Sequence, residues 1–287
     1  MKDLQQHAQT LAEALPYIRR WADKTMVIKY GGSAMTDEAL KASVAEDIVL
    51  MHYVGMHPLV VHGGGPKITQ MMERLGKKAE FVKGLRVTDA DTMEIAQMVL
   101  VGTINKEIVS AINLAGGRAV GLSGKDANLI RARKRPGEAD ADLGFVGDVD
   151  AIEGQILDDL AASGYIAVVS SVGSGPDGAS YNINADHVAG KLAATVKAEK
   201  LVSLTDVPGI LRDPHDPDSL VSRLSLSEAR ELLTTEAISA GMRPKLESAI
   251  MALEGGVRRA HIIDGRVPHS LLMEILTQAG IGTMIEA

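Results

Sequence analysis

Short apolar runs that end in glycine-rich turns set the rhythm of this chain. Met26-Val27-Ile28 leads into Lys29-Tyr30-Gly31-Gly32-Ser33, and Leu59-Val60-Val61 leads into His62-Gly63-Gly64-Gly65. Helical patterns follow each, over about 37–54 and 66–75. Strand, glycine-rich turn, helix, repeated, predicts a parallel α/β sheet. Ligands of such sheets lie beyond the carboxyl ends of the strands, where both glycine runs fall.

The same pattern predicts further strands over 118–122, 128–135, 144–149, 165–172, 201–204, 260–263 and 281–285. Further helices are expected over 185–198, 225–239, 244–254 and 268–278. The polar break Pro136-Gly137-Glu138-Ala139-Asp140 reads as an exposed hairpin tip. Residues 91–113 read as one long helix with the stripe Ala96, Val99, Leu100, Thr103, Ile104, Ile108, Ala111 and Ile112, serving as core or as an interface. Residues 3–22 carry Leu4, Ala8, Leu11, Leu15, Ile18 and Trp21 at helical spacing, and Pro16 is expected to kink or break that helix. This segment either packs on its own domain or serves as an oligomerisation arm. A lobe change is expected near 175–182. The expected division is 1–24, an N-terminal helix; 25–180, an N-terminal lobe; and 181–287, a C-terminal lobe.

Composition narrows the classes. With 287 residues, 46% hydrophobic and 23% charged, the chain is long enough for a large core or two lobes. A net charge of −7 and only 3% aromatic residues speak against a nucleic-acid partner. The chain has no cysteine, which excludes disulfides, thiol catalysis and Cys-ligated zinc. No unbroken apolar run approaches the ~18 residues of a membrane helix. Asp3, Glu13 and Asp23 argue against a signal or transit peptide. The expectation is a cytoplasmic protein.

Several stretches carry candidate chemistry. Glycines at a strand exit turn backbone N–H groups toward an anion, and Lys29 adds a positive point charge; the bland alternative is a tight turn with a solvated lysine. Three successive glycines at 63–65 suit a backbone that approaches a ligand closely, or a flexible loop. His62 reads as a hydrogen-bonded turn residue, since no partner stands at metal spacing. Asp186 is either an N-cap neighbour or the group that orients two lysines, or Mg²⁺ through water, with Asn182 as a donor to substrate. Pro244 opens a helix whose free N–H groups, with Lys245, form an anion site, or Lys245 is a surface lysine. Arg86 could clamp a carboxylate with paired hydrogen bonds, or form a surface salt bridge. Gly173-Ser174-Gly175-Pro176-Asp177-Gly178 fits the dinucleotide pattern G-x-G-x-x-G, but no helix follows it immediately. Gly121-Leu122-Ser123-Gly124-Lys125-Asp126 lacks the spacing of a P-loop.

Taken together, Lys29–Met35, Val60–Pro66, Gly84–Asp89, Asn182–Asp186 and Leu204–Leu211 resemble the acetylglutamate kinases of the amino-acid kinase family over almost the full chain. The resemblance implies a three-layer α/β/α sandwich with a mainly parallel central sheet and an added N-terminal helix. It implies ATP-dependent phosphorylation of the side-chain carboxylate of N-acetyl-L-glutamate, in arginine biosynthesis, with Mg²⁺ carried by the nucleotide. Carried over residue by residue, Lys29 and Lys245 stabilise the transferring phosphoryl group and Asp186 positions them. Gly64, Gly65, Arg86 and Asn182 hold the acceptor. Gly31, Gly32, Ser33, Asp206, Gly209 and Leu211 lie at the nucleotide. The N-terminal helix and the tail resemble the arginine-inhibited, hexameric branch, a trimer of dimers, in which His261, Glu274 and Gly280 border the arginine site. Lys191, after Gly190, has no assigned role.

The chemistry suits these residues. The acceptor carboxylate is already ionised at neutral pH, so no general base is needed. Charge repulsion between anions is the obstacle, and fixed positive groups answer it. Related kinases acting on aspartate, glutamate, carbamate or UMP are the alternatives within the enzyme class. A non-catalytic arginine sensor is the alternative outside it.

Overall fold

The structure is a computed structural model. It describes every residue except 1, 36, 138–140, 214–215, 236–237 and 279, and every side chain of those but 2, 3, 6, 7, 33 and 217. The expected hairpin tip at 138–140 therefore lies outside the described residues.

The strands are β1 (Thr25–Tyr30), β2 (His57–His62), β3 (Phe81–Val82), β4 (Leu85–Arg86), β5 (Ala119–Ser123), β6 (Ile130–Lys134) and β7 (Val146–Ile152). They continue as β8 (Ile166–Ser170), β9 (Val172–Ser174), β10 (Ser180–Ile183), β11 (Lys200–Thr205), β12 (Arg223–Ser225), β13 (Arg259–Asp264) and β14 (Thr283–Glu286). The helices are α1 (Lys2–Trp21), α2 (Glu38–Tyr53), α3 (Gly65–Arg74), α4 (Ala90–Gln97), α5 (Asn105–Leu114), α6 (Gln155–Ala162), α7 (Ala185–Thr195), α8 (Leu226–Thr234), α9 (Arg243–Glu254) and α10 (Ser270–Leu276).

Eight strands form one sheet in the order β12-β14-β13-β11-β1-β2-β8-β5. Every neighbouring pair is parallel except β13 with β14. The two-residue period of a strand divides the core in two. Met26, Ile28 and Val60 face a layer built from α1, α2, α5 and α10, through Trp21, Ile48, Ile108 and Ile275. Val27, Leu59 and Val61 face the opposite layer of α6, α7, α8 and α9, through Leu157, Leu192, Ala229 and Leu246. This is the expected three-layer α/β/α sandwich with a mainly parallel central sheet. The central strands β1 and β2 are buried almost throughout, which is why they read as unbroken apolar runs.

Three features depart from the sequence expectations. First, α1 is continuous through Pro16, which does not break it. Its last turn is anchored: Trp21 is buried, and its indole N–H donates to the Ile275 carbonyl at 3.0 Å. Leu4, Leu11 and Leu15, further out, are exposed. Secondly, the long helix is not uniform. Residues Met98–Ile104, between α4 and α5, form a π-helical segment. The whole of Ala90–Leu114 is long and apolar enough, by length and composition, to cross a membrane. Its buried stripe of Val99, Leu100, Ile104, Ile108 and Ile112 lies in the protein core, while Lys106 and Glu107 are exposed. Thirdly, the expected hairpin is part of a closed four-stranded barrel of β6, β7, β9 and β10. Gly173 to Gly178 turns the chain from β9 back into antiparallel β10, so no helix follows the third glycine. The Ser123 N–H and hydroxyl both donate to Asp126, at 2.6 and 2.9 Å, closing that loop on itself.

Candidate active site

Lys29 lies near the end of β1, in a register where its side chain leaves the sheet at the glycine turn. The side chain folds back over Gly31: a Cβ there would lie 2.7 Å from Nζ, so a larger residue would push the Lys29 ammonium aside. Gly32 has φ +74° and backs onto the Asp206 carboxylate, which a Cβ would overlap. The turn after β1 is thereby joined to the turn after β11.

Asp186 enters from the first turn of α7. Asn184 caps that helix, its Oδ1 accepting from the Asp186 and His187 N–H groups at 2.8 and 3.2 Å. Lys245 enters from the first turn of α9, with Pro244 beside it. The Lys29 ammonium is 3.2 Å from Asp186 Oδ1, and the Lys245 ammonium is 3.7 Å from Oδ2. All three side chains are nearly buried. Burial pushes the Asp186 carboxyl upward, but the two ammonium groups outweigh it and hold it below its ordinary range. Burial also lowers Lys245, against the pull of Asp186.

Close packing of α7 on α9 sets this geometry. The Ser248 hydroxyl donates to the Asp186 carbonyl at 2.5 Å. Gly190 permits the approach: a Cβ there would lie 2.6 Å from the Ser248 carbonyl oxygen. His187 and Glu247 pair across the same two helices at 3.0 Å. Neither Ser248 nor Glu247 carries a local sequence signal, whereas Gly190 inside a helix is the visible hint. Lys191, beside it, is exposed.

A cavity of about 360 Å³ opens at this cluster. Lys29, Gly31, Gly32, Gly64, Gly65, Arg86, Asn182 and Asp186 all line it, so both glycine runs and the proposed acceptor groups share one space. Four cationic side chains, Lys29, Lys41, Lys67 and Arg86, face it against two carboxylates, Glu107 and Asp186. Arg86 is buried and donates to the Gly65 carbonyl at 2.9 Å and the Thr69 hydroxyl at 2.7 Å, with its guanidinium 4.7 Å from the Phe81 ring centre. It is thus part of the cavity wall, not the surface. Lys245, Asp206, Gly209 and Leu211 do not line the cavity. Gly209 packs on Thr283, whose hydroxyl accepts from the Ile210 N–H at 2.8 Å, and Leu211 bridges to Leu220. Gly32 and Ser33 begin a 3-10 turn after β1.

Residues 24–264 match the Amino acid kinase family. The chain is 57% identical over 287 residues to the acetylglutamate kinase of Pelotomaculum thermopropionicum, covering 97% of each chain. It is 57% identical over 283 residues to that of Symbiobacterium thermophilum, again covering 97% of each. The chain belongs to the acetylglutamate kinases, within the amino acid kinase family. Its fold is similar, with a TM-score of 0.86 and 29% identity, to N-acetylglutamate synthase from Neisseria gonorrhoeae, solved with coenzyme A and N-acetyl-glutamate. That match covers 98% of this chain and 63% of the synthase chain.

A second cluster lies on the other face of the sheet, at β11, β13 and α10. His261 Nδ1 is 2.6 Å from Glu274 Oε1, and both side chains are buried. The Ile281 N–H donates to the other Glu274 oxygen at 2.8 Å. Gly280, at φ +65°, abuts the same carboxylate. The three tail residues named from sequence therefore meet at one point. Lys200 completes the cluster, its ammonium 4.6 Å from the Trp21 ring centre, and burial pushes it down to about 8. Sequence reasoning missed Lys200 because its position at the head of an apolar strand carries no motif.

Proposed function

We propose that this chain transfers the γ-phosphoryl group of ATP to the side-chain carboxylate of N-acetyl-L-glutamate, giving N-acetyl-L-glutamyl 5-phosphate in arginine biosynthesis. The observation that carries this reading is the Lys29–Asp186–Lys245 cluster, placed where two glycine runs meet a cavity rich in cationic side chains. Glycine turns in which Gly32 and Gly64 leave no room for a Cβ, beside two ammonium groups, fit phosphate. When bound, Mg²⁺–ATP supplies the phosphoryl group and masks part of its charge.

The chain's own residues then do electrostatic work. Lys29 steadies the migrating phosphoryl group and Lys245 the leaving side. Asp186 keeps both ammonium groups in place without neutralising both, since one carboxylate faces two cations. Gly64, Gly65, Arg86 and Asn182 hold the acceptor with its carboxylate aimed at that point. No proton has to move, because the nucleophile is already an anion. Gly31, Gly32, Ser33 and the turn from Asp206 to Leu211 receive the nucleotide.

The finer reading is an arginine-inhibited hexamer, a trimer of dimers, working in the cytoplasm. It is supported by the exposed Leu4, Leu11 and Leu15 on α1, and by the docking of Trp21 beside the His261–Glu274–Gly280 cluster. L-Arginine bound near those residues would act through α1. The division into a helix at 1–24, an acceptor lobe at 25–180 and a nucleotide lobe at 181–287 belongs to the same proposal.

An ADP-release assay with N-acetylglutamate, aspartate, glutamate, carbamate and UMP as acceptors, run with and without arginine, tests it. Turnover with N-acetylglutamate above all others is expected, reduced by arginine. Turnover with another acceptor alone would overturn the substrate, and none with any would favour the sensor.

A further inference from the structure

The triple-glycine run is held from behind by a buried polar chain that the proposed phosphoryl transfer does not itself use. His62, the last residue of β2, is fully buried, with its Nδ1 3.0 Å from the Gly63 carbonyl oxygen. A carbonyl only accepts, so Nδ1 carries the proton and Nε2 the lone pair. Asn105, also fully buried, places its Nδ2 3.2 Å from that Nε2 and 2.9 Å from the Val168 carbonyl oxygen. The N–H groups of one amide therefore serve the imidazole and β8, with the Leu122 carbonyl of β5 a longer 3.4 Å from the same nitrogen. Lys106 donates to the Asn105 Oδ1 at 3.1 Å, which fixes the amide's orientation from the other end. Turning the amide over would set oxygen against the Val168 carbonyl and NH₂ against an ammonium.

Space for this amide is reserved by two other elements. A Cβ at Gly121 on β5 would overlap the Asn105 amide. Asn105 also directly follows the π-helical segment Met98–Ile104. One extra residue in a turn rotates the succeeding helix by about 100° relative to an unbroken α-helix. From that segment, Leu100 and Ile104 pack directly behind Gly64, and a Cβ there would overlap Ile104.

We infer that Asn105 is a positioning residue for the acceptor: acting through a single tautomer of His62, it fixes the Gly63–Gly65 backbone, and the π turn exists in this fold to deliver it there. Gly65 in turn accepts from Arg86, so the constraint reaches the acceptor groups and not the two lysines. This rests on the acceptor reading given above. Burial that holds His62 down to about 4 keeps the ring neutral, consistent with a fixed hydrogen-bond pattern.

Nitrogen-15 NMR of histidine-labelled enzyme, combined with kinetics, tests the inference. Wild type should show His62 as the Nδ1–H tautomer. Asn105→Asp replaces the donor by an acceptor of the same shape, and should move the proton to Nε2. With it, KM for N-acetylglutamate should rise about tenfold, the equivalent of one lost hydrogen bond, while KM for ATP stays unchanged. Asn105→Leu should raise the same KM without moving the tautomer fully to Nε2–H. Leu157→Ala, a buried loss in α6 away from this chain of contacts, should lower thermal stability and leave both KM values alone. An Nε2–H tautomer in wild type, or a folded Asn105→Asp enzyme with an unchanged acceptor KM, would overturn the inference. If the variants do not fold, the wild-type tautomer still decides. Wild-type enzyme inactive on N-acetylglutamate but carrying the Nδ1–H tautomer would instead remove the acceptor reading and leave the His62–Asn105 link standing.

Discussion

Two buried carboxylates in this molecule have similar neighbours and opposite surroundings. Asp186 stands between the ammonium groups of Lys29 and Lys245; Glu274 stands between His261 and Lys200. Burial pushes each carboxyl up, and its basic neighbours pull it below its ordinary range. The first cluster opens on a cavity and holds more positive than negative charge. The second packs against Trp21 and takes the Ile281 N–H, and burial keeps His261 toward its neutral form. Surplus charge at an opening attracts an anion. A buried, charge-paired cluster instead ties elements together, here the sheet, α10 and the end of α1. Access and charge balance, more than residue type, separate the proposed phosphoryl-transfer site from the proposed arginine site.

The largest expected break of this contrast is Asp186→Asn. It leaves two nearly buried ammonium groups facing each other, and removing one partner of such a cluster costs about 3–5 kcal/mol of stability. Urea unfolding at neutral pH measures it. The folded carboxyl is depressed, so the wild-type advantage is present above the ordinary carboxylate range and is lost as pH falls through the folded value. Turnover should drop by more than for either lysine changed alone.

Next in size is Lys200→Met, which sharpens the contrast from the covered side. Folded Lys200 releases its proton near 8, while the unfolded side chain holds it to its ordinary value of 10.5. Between those values the unfolded state binds more protons, so wild-type stability gains relative to the variant as pH rises from 8. The full gain is about 3 kcal/mol. Parallel thermal melts from pH 7 to 10 read it directly, and equal slopes for the two proteins would rule it out.

Gly190→Ala should act more gently. The new methyl meets the Ser248 backbone, and such overpacking costs about 1–3 kcal/mol. Because α7 and α9 carry Asp186 and Lys245, kcat should fall with stability, whereas the exposed neighbour Lys191→Ala should change neither. Deleting residues 1–22 should have the smallest effect on basal turnover. It should abolish the proposed inhibition by arginine and, by light scattering, reduce the proposed hexamer to dimers. Inhibition that persists in the truncated enzyme would take α1 out of the control mechanism.

Much of the fold was legible because it rests on short-range rules. Parallel strands buried on both faces read as apolar runs, and the glycine turns after β1 and β2 announced where the cavity opens. Lys29, Asp186 and Lys245 could be named from local patterns and the family resemblance together. What brings them together could not. Gly190 and Ser248 lie far apart in sequence, and their contact is a property of helix packing. The π turn at Met98–Ile104 leaves the apolar spacing almost unchanged, so a period of 3.6 residues still fits it. Pro16 does not break α1 because a helix anchored by Trp21 tolerates one missing backbone hydrogen bond. The four-stranded barrel joins strands through pairings between non-neighbouring segments, which hydrophobic alternation does not encode.

The most direct test of the central claim is the turnover of Lys29→Ala and Lys245→Ala in the ADP-release assay with saturating N-acetylglutamate and ATP. Two ammonium groups acting on one migrating phosphoryl group predict a loss of about 100- to 1,000-fold in kcat for each. Turnover close to wild type in either folded variant would contradict the account.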